Sequence, residues 1–101
     1  MGLFFEWDSN KAESNIIKHK VSFEEASTIF ADHCSITIDD PIHSINEKQF
    51  ITIGLSANNR VLVVIHTERA KKIRIISARK ASTKEKQQYE EKSESRNVTR
   101  V

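Results

Sequence analysis

Three apolar segments rich in β-branched residues follow one another closely in the second half of the chain, and they constrain the fold more than any other feature. They cover residues 50–55, 61–67 and 73–80, with only short polar stretches between them. Valine, isoleucine, threonine and phenylalanine favour extended backbone, so segments of this length and spacing are typical of consecutive strands. The run VLVVI at residues 61–65 is apolar on both faces, which predicts a central strand. The sequence therefore predicts a β-meander.

The two connections of this meander are short and polar. The first, SANNR, offers two asparagines, Asn58 and Asn59, either of which can take the positive φ that a hairpin turn needs. The second, at residues 68–72, is a tight connection. Neighbouring strands of the meander are therefore expected to run antiparallel.

The first half predicts a strand, two helices and a further short strand. Asp8 is a plausible N-cap for a helix that runs to about Lys18. Ser22 and Glu25 fit a capping box, in which each side chain satisfies a backbone amide near the other residue. The predicted strands cover residues 3–7 and 36–39, and a polar final helix covers residues 82–91.

These elements predict one small α+β domain. We expect the order βααβββα, in which an antiparallel sheet is packed by helices. The domain is expected to occupy residues 1–92 and a flexible tail residues 93–101. A chain of 101 residues supports one modest core.

Cellular location is predicted from what the sequence lacks. The one cysteine, Cys34, cannot form an internal disulfide, which suits a reducing compartment. No apolar run is long enough to span a bilayer, and no secretory signal is recognisable. We therefore expect a cytoplasmic protein without a membrane partner.

The charges are unevenly distributed along the chain. Residues 1–59 have a balance of −5 and no arginine, whereas residues 60–101 have a balance of +7 and hold every arginine. Such a split indicates a polyanion or an acidic protein as partner of the basic half. The alternative is a solvated surface of mixed charge.

The last predicted strand carries cations as well as isoleucines. In a regular strand, alternation puts Arg74 and Lys80 on one face and Arg79 on the other. Arg74 lies nearer the end of the preceding strand that holds His66. The cations therefore need not form one cluster unless the sheet bends or Arg79 pairs with the C-terminal helix.

Most familiar catalytic sites are not recognisable in this sequence. The four histidines and Cys34 lack metal-ligand spacing, so we expect no metal and no cofactor. Gly2 and Gly54 are the only glycines, too few for a glycine-rich phosphate loop. Cations with a few His, Glu and Tyr side chains suit binding of a phosphodiester and removal of the proton from a ribose 2′-hydroxyl.

Most of the chain resembles the BrnT toxins of type II toxin–antitoxin modules. The resemblance rests on the segments FEWDSNKAESNIIKHKVSFEEASTIF, DDPIHSINEKQFITIGLS, RVLVVIHTERAKKIRIISARKA and EKQQYEE. It implies a RelE-like fold and a metal-independent endoribonuclease that cleaves RNA and inhibits translation. It also implies neutralisation by a BrnA-type antitoxin with a DNA-binding domain, so that operator DNA is contacted only through the antitoxin.

The family's polar pattern falls on most of the candidate site residues, and the roles assigned to them here are hypotheses. Arg79 would bind phosphate with support from Arg69 and Arg74, because a guanidinium group matches phosphate oxygens in pairs. His66 or Glu47 would be the general base, and Tyr89 or Lys80 would position the leaving group or donate a proton. Substrate contacts are expected from Lys18, His19, Arg60 and His43.

Structural roles compete with several of these assignments. Arg74 and Arg79 could pair with Glu47, Glu68 or Glu85, Tyr89 could anchor its helix, and His43 could stabilise a turn. Lys20 stands where the family usually has glycine, at a strain of roughly 1 kcal/mol if that backbone is left-handed. A non-catalytic module that binds nucleic acid or antitoxin is the alternative function.

Overall fold

The structure, a computed structural model, describes residues 3–42 and 47–98. In chain order, its elements are strand β1 (Phe4–Glu6), helix α1 (Ser9–His19), helix α2 (Phe23–Thr28), a 3₁₀ turn (Ile29–Ala31), strand β2 (Ile36–Asp39), strand β3 (Phe50–Leu55), strand β4 (Val61–Arg69), strand β5 (Lys72–Lys80) and helix α3 (Thr83–Val98). The α+β class is confirmed. The predicted order βααβββα counts one strand too few, because residues 36–39 and all four other segments predicted as strands form strands.

The five strands form one sheet in the order β1-β5-β4-β3-β2. Strand β4 is central, as its doubly apolar sequence predicts. The sheet is mixed rather than antiparallel, because β1 pairs with β5 in parallel. These two strands are far apart in sequence, so no hairpin fixes their relative direction.

The hydrophobic core lies between one face of the sheet, here called the inner face, and the first two helices. Its buried side chains from the helical layer are Val21, Phe23, Ala26 and Ile29, and those from the sheet are Leu62, Val64, Ile75 and Ala78. Trp7 packs its ring edge-on against Phe23, with ring centres 5.9 Å apart. The opposite, outer face is crossed by α3 alone among the described helices, where Tyr89 lies in a groove with Ile36 and Ile53.

Both early helices begin at the residues that the sequence predicts. Asp8 accepts hydrogen bonds from the amides of Asn10 and Lys11. Ser22 accepts one from the amide of Glu25, but the Glu25 carboxylate does not return to Ser22. It pairs instead with Arg60, so only half of the predicted capping box forms.

Helix α3 begins with a reciprocal capping box that the sequence analysis did not identify. Ser82 accepts from the amide of Glu85 at 3.2 Å, and Glu85 accepts from the amide of Ser82 at 2.8 Å. The helix continues to Val98, beyond its predicted end. The division into a domain and a tail stays a prediction. Within the part of the chain that the structure describes, no helix is long and apolar enough to cross a membrane.

Candidate functional site

A β-bulge in β5 determines which side chains share the outer face. Ile65 pairs with Ser77 and His66 pairs with Ile75, so Ile76 is an extra residue on β5. Beyond the bulge, alternation is shifted by one. Ile75 and Ala78 therefore both face the core, whereas Arg74 and Arg79 both face outward with Ser77. The predicted separation of Arg74 from Arg79 is wrong, because it assumes a regular strand.

Arg69 completes a group of three arginines on this face, and each is held by a glutamate. Arg69 makes two hydrogen bonds to Glu47, at 2.8 and 2.7 Å. Arg79 makes two to Glu85, at 2.7 and 2.9 Å. Arg74 lies 3.6 Å from the carboxylate of Glu6, its neighbour on β1. We call these three arginines and their surroundings the arginine face.

The pairs of Arg69 with Glu47 and of Arg79 with Glu85 keep both partners charged. The hydrogen bond from Arg69 is the main cause that lowers the pKa of Glu47, and Arg69 has a raised pKa in return. Hydrogen bonding to Arg79 is the main reason that the pKa of Glu85 falls to about 2. The arginine face therefore presents cations that are already oriented by carboxylates.

Two uncharged side chains on the arginine face were missed by the sequence analysis. Thr67, the cross-strand neighbour of Arg74, is fully buried, and its hydroxyl has no hydrogen-bond partner among the described residues. Ser77 is half-buried and lies between Arg74 and Arg79 along β5. Neither residue has a sequence signal of its own, because its orientation follows from the strand register.

His66 lies on the inner face, away from the three arginines. Its ring packs edge-on against Phe30 and stacks with Phe50, with centres 5.0 and 5.7 Å apart. Its Nε2 is 2.8 Å from the hydroxyl of Thr52. Burial lowers the pKa of His66 to about 4, so the ring is neutral at pH 7. The structure does not bring His66 together with the arginines.

Tyr89 is engaged in holding α3 on the outer face. It is 6% exposed, and its hydroxyl donates to Asp32. Asp32 also accepts from the amides of Cys34 and Leu55. Burial opposes ionisation of Asp32, but these hydrogen bonds outweigh it and lower its pKa. The geometry favours Tyr89 as the anchor of α3, and a catalytic role for it stays a prediction.

The remaining predicted site residues do not join the arginine face. Lys80 pairs with Leu62, which points into the core, so it lies on the other side of the strand from Arg79. Lys18 and His19 are exposed at the end of α1. Arg60 donates to Glu25 and to the backbone oxygen of Lys20. Their roles in substrate binding stay predictions, and His43 lies outside the described residues.

Metal ligation has no support in the described ranges, residues 3–42 and 47–98. They contain no group of three His, Cys, Asp or Glu side chains that could hold a metal ion. The described residues of the arginine face offer guanidinium groups, carboxylates, the ammonium group of Lys72 and two hydroxyls.

The comparisons with known proteins agree with the resemblance noted above. A family model described as "Ribonuclease toxin, BrnT, of type II toxin-antitoxin system" matches residues 7–85. The chain belongs to this BrnT family. Membership in a type II toxin–antitoxin family implies an antitoxin partner. No curated protein gives a significant match.

A solved structure supports the fold. The 1.1 Å crystal structure of the Brucella abortus ribonuclease toxin BrnT superimposes with a TM-score of 0.60. The match has 21% sequence identity and covers 81% of this chain and 100% of that one. At this identity, the likeness supports the BrnT-type fold, and the RelE-like assignment stays a prediction.

Proposed function

We propose that this protein is an endoribonuclease that cleaves RNA at its arginine face without a metal ion, and thereby inhibits translation. The observation that carries the proposal is the position of Arg69, Arg74 and Arg79 on one face of the sheet, with Glu47 bound to Arg69. Family membership points to the same chemistry, because the family is one of ribonuclease toxins.

Arg69 and Arg74, near Glu47, would bind the scissile phosphate and stabilise the charge that develops on phosphorus. Arg79 would bind a phosphate farther along the RNA, because six residues of β4 separate its row from that of Arg69. A guanidinium group offers paired donors that match phosphate oxygens, and prepositioned charges lower the barrier without reorganising during the reaction. Each arginine already has a carboxylate partner, so RNA phosphate must share or replace those contacts. Arg79 is the best oriented of the three, because Glu85 is itself fixed by the helix cap.

Glu47 would be the general base. It lies on the arginine face with its side chain partly exposed, and its lowered pKa keeps it ionised. The ribose 2′-oxygen attacks phosphorus while its proton passes to Glu47. The bond from phosphorus to the 5′-oxygen breaks, and that oxygen takes a proton from water. The hydroxide that remains takes the proton from Glu47, which restores the base. The products are a 2′,3′-cyclic phosphate and a 5′-hydroxyl end. His66 is the weaker candidate, because it is buried on the inner face.

The test is cleavage of a defined RNA by purified protein and its variants in the presence of a chelator. Glu47→Gln should lower the rate by about 10²–10⁴-fold, the usual contribution of a general base. Arg79→Lys keeps the charge but loses the paired donors, so we expect a loss of about 10²-fold. Lys11→Ala removes one exposed cation from α1 and should cleave like the wild type.

The substrate provides a second control. An oligonucleotide with 2′-deoxyribose at the cleavage position should resist the enzyme, since the attacking oxygen is missing. If wild type and Arg79→Lys show the same negligible cleavage with and without ribosomes, the protein is not a ribonuclease.

A non-catalytic module that binds nucleic acid or antitoxin is the second candidate, and the glutamate partner of each arginine favours it. Such a module would bind RNA without cutting it. Its affinity would still fall with rising salt, because phosphate contacts release counterions. Binding with a salt slope but without cleavage selects this function, and a flat salt response excludes phosphate contact.

The antitoxin is proposed to be a BrnA-type DNA-binding protein that neutralises the toxin in the cytoplasm. Operator DNA would then be bound only through the antitoxin. Co-expression with the adjacent small gene product should restore growth and give a co-purifying complex. Toxin alone should not shift operator DNA in a gel, whereas the complex should.

A further inference from the structure

The aromatic ring of Phe4 is largely exposed to solvent. It is 62% exposed, whereas its neighbour Phe5 packs against Phe30 on the inner face, with ring centres 5.5 Å apart. Because successive side chains of a strand alternate, Phe4 points to the outer face. A large aromatic ring thus stands in solvent on the same face as the three arginines.

The strand register places Phe4 at the end of the arginine face. Phe4 pairs with Lys72 on β5, and Lys72 pairs with Arg69 on β4. Two residues along β1, Glu6 pairs with Arg74. Lys72 is therefore directly beside Phe4 on the neighbouring strand. Arg74 lies two residues farther along that strand, diagonally across from Phe4.

An exposed ring beside cations is the arrangement by which proteins bind single-stranded RNA. Bases stack on aromatic side chains while the phosphates contact lysine and arginine, and stacking tolerates any base. An apolar protein segment would also contact Phe4, but it gives no reason for Lys72 to be its partner on β5 or for Arg69 to follow in the same row. The charge therefore favours RNA over an apolar protein segment.

We propose that Phe4 is a stacking platform for a base of the RNA substrate, next to the nucleotide whose phosphate the arginines bind. This inference rests on the proposed ribonuclease function and adds a subsite to it. Lys72 would contact the phosphate of the stacked nucleotide. Phe4 contributes to holding the RNA and takes no part in proton transfer.

The test measures binding of a short RNA that carries 2′-deoxyribose at the cleavage position, so that it is held but not cut. Phe4→Ala should weaken binding by about tenfold, in the range of one lost stacked base. Phe4→Trp should restore wild-type affinity or exceed it. The salt slope should stay unchanged, since no phosphate contact is lost. Leu3→Ala, at a neighbouring residue that is 57% exposed, should bind like the wild type.

Abasic substitutions locate the stacked base. The affinities of wild type and Phe4→Ala should be measured for a set of RNAs that each lack the base at one position. At one position only, the missing base should abolish the difference in RNA affinity between the two proteins. Thermal melting of each variant checks that it folds.

Three outcomes overturn the proposal. The first is equal RNA affinity of wild type and Phe4→Ala while wild type cleaves RNA, which leaves the ribonuclease function intact. The second is an unchanged RNA affinity with a weakened affinity for the co-expressed antitoxin, which makes Phe4 part of a protein interface. The third is failure of the wild type to bind or cleave RNA, which overturns the proposed function as well.

Discussion

At the scale of single residues, three of the positions that the structure describes adopt a left-handed backbone conformation without using glycine. They are Lys20, Asn59 and Ala70, with φ values of 60°, 62° and 54°. Asparagine tolerates this region, so Asn59 suits the hairpin turn that the sequence predicts between β3 and β4. Lys20 and Ala70 carry a Cβ atom into a region where it crowds the backbone. Both positions are therefore strained.

Lys20→Gly should stabilise the protein. Lys20 ends helix α1 with φ 60° and ψ 33°, the conformation that glycine adopts without steric conflict. We expect the free energy of unfolding to rise by about 1 kcal/mol, measured by urea denaturation.

Lys18→Gly is the matched control, since it removes the same side chain from a helical position of α1. It should lower the free energy of unfolding by about 1 kcal/mol. Equal shifts of the same sign in the two variants would show that backbone strain at Lys20 is not the cause.

The roles of some residues follow from their neighbours in sequence, whereas the partners of others could not be predicted. The cap at Asp8 and the hairpin turn depend on neighbours within a few residues, and both were predicted, the turn with either Asn58 or Asn59 at positive φ. The partners of Arg60 and Tyr89 lie 35 and 57 residues away, at Glu25 and Asp32. No pattern along the chain encodes such pairs, because they form only after the layers pack.

At the scale of elements, a side chain of α1 substitutes for a strand. Strand β1 covers β5 only at Lys72–Arg74, so the same edge of β5 has no strand partner farther along. There, the Asn15 amide accepts from the amide of Ala78 at 3.1 Å and donates to its carbonyl at 2.8 Å. It also donates to the carbonyl of Val21 at 2.9 Å. One buried amide thus joins helix, loop and sheet edge.

Asn15→Leu should destabilise the protein strongly. The substitution keeps the side chain at similar size but removes three hydrogen bonds and leaves buried backbone groups unpaired. We expect the free energy of unfolding to fall by about 2–4 kcal/mol. Hydrogen exchange at the amide of Ala78 should become faster.

Asn10→Leu is the control for this prediction, because Asn10 lies on the exposed side of the same helix. Its effect should stay within about 0.5 kcal/mol. If Asn15→Leu is as stable as Asn10→Leu, the sheet edge does not need the amide.

The strands of the meander were predictable because each combines β-branched residues with clear turn signals. The position of β1 was not, since nothing in three residues specifies a parallel partner near position 73. The bulge at Ile76 was not predictable either, because isoleucine fits a regular strand equally well. The arginine face depends on both features, which is why the site was less predictable than the fold.

At the scale of the whole molecule, the uneven charge of the chain is partly neutralised internally. Arg60 pairs with Glu25, Arg69 with Glu47 and Arg74 with Glu6, so three pairs join the basic half to the acidic half. The sequence suggested an external polyanion or a solvated surface. The fold adds a third use of the asymmetry, which is to hold its two halves together. RNA binding at the arginine face would have to compete with these internal partners.

His66 should make the stability of the whole protein sensitive to mild acid. The pKa of His66 is about 4 in the folded protein, against 6.5 for an unperturbed histidine. Between these pH values, His66 binds a proton in the unfolded chain but not in the folded protein. The contribution is fully present above pH 6.5 and is lost as pH falls toward 4. The expected loss is about 1.4 kcal/mol per pH unit within that window, measured by urea denaturation at several pH values.

His66→Phe removes the titrating ring while keeping an aromatic side chain between Phe30 and Phe50. The free energy of unfolding of this variant should depend less on pH between 6.5 and 4.5 than that of the wild type. Glu85, with a pKa of about 2, contributes below that window and is common to both proteins. Parallel curves for the two proteins would exclude His66 as the source of acid sensitivity.

The bulge in β5 means that the arginine face is specified by a count of residues as well as by their identities. A relative with one residue fewer between Arg74 and Arg79 needs no bulge, because a spacing of four residues already puts both side chains on one face of a regular strand. A relative that keeps the spacing of five but forms a regular strand turns one of the two arginines to the opposite side. When such chains are aligned, a gap at Ile76 therefore preserves the arginine face, whereas a change that removes the bulge at unchanged length separates its arginines while keeping every charged side chain.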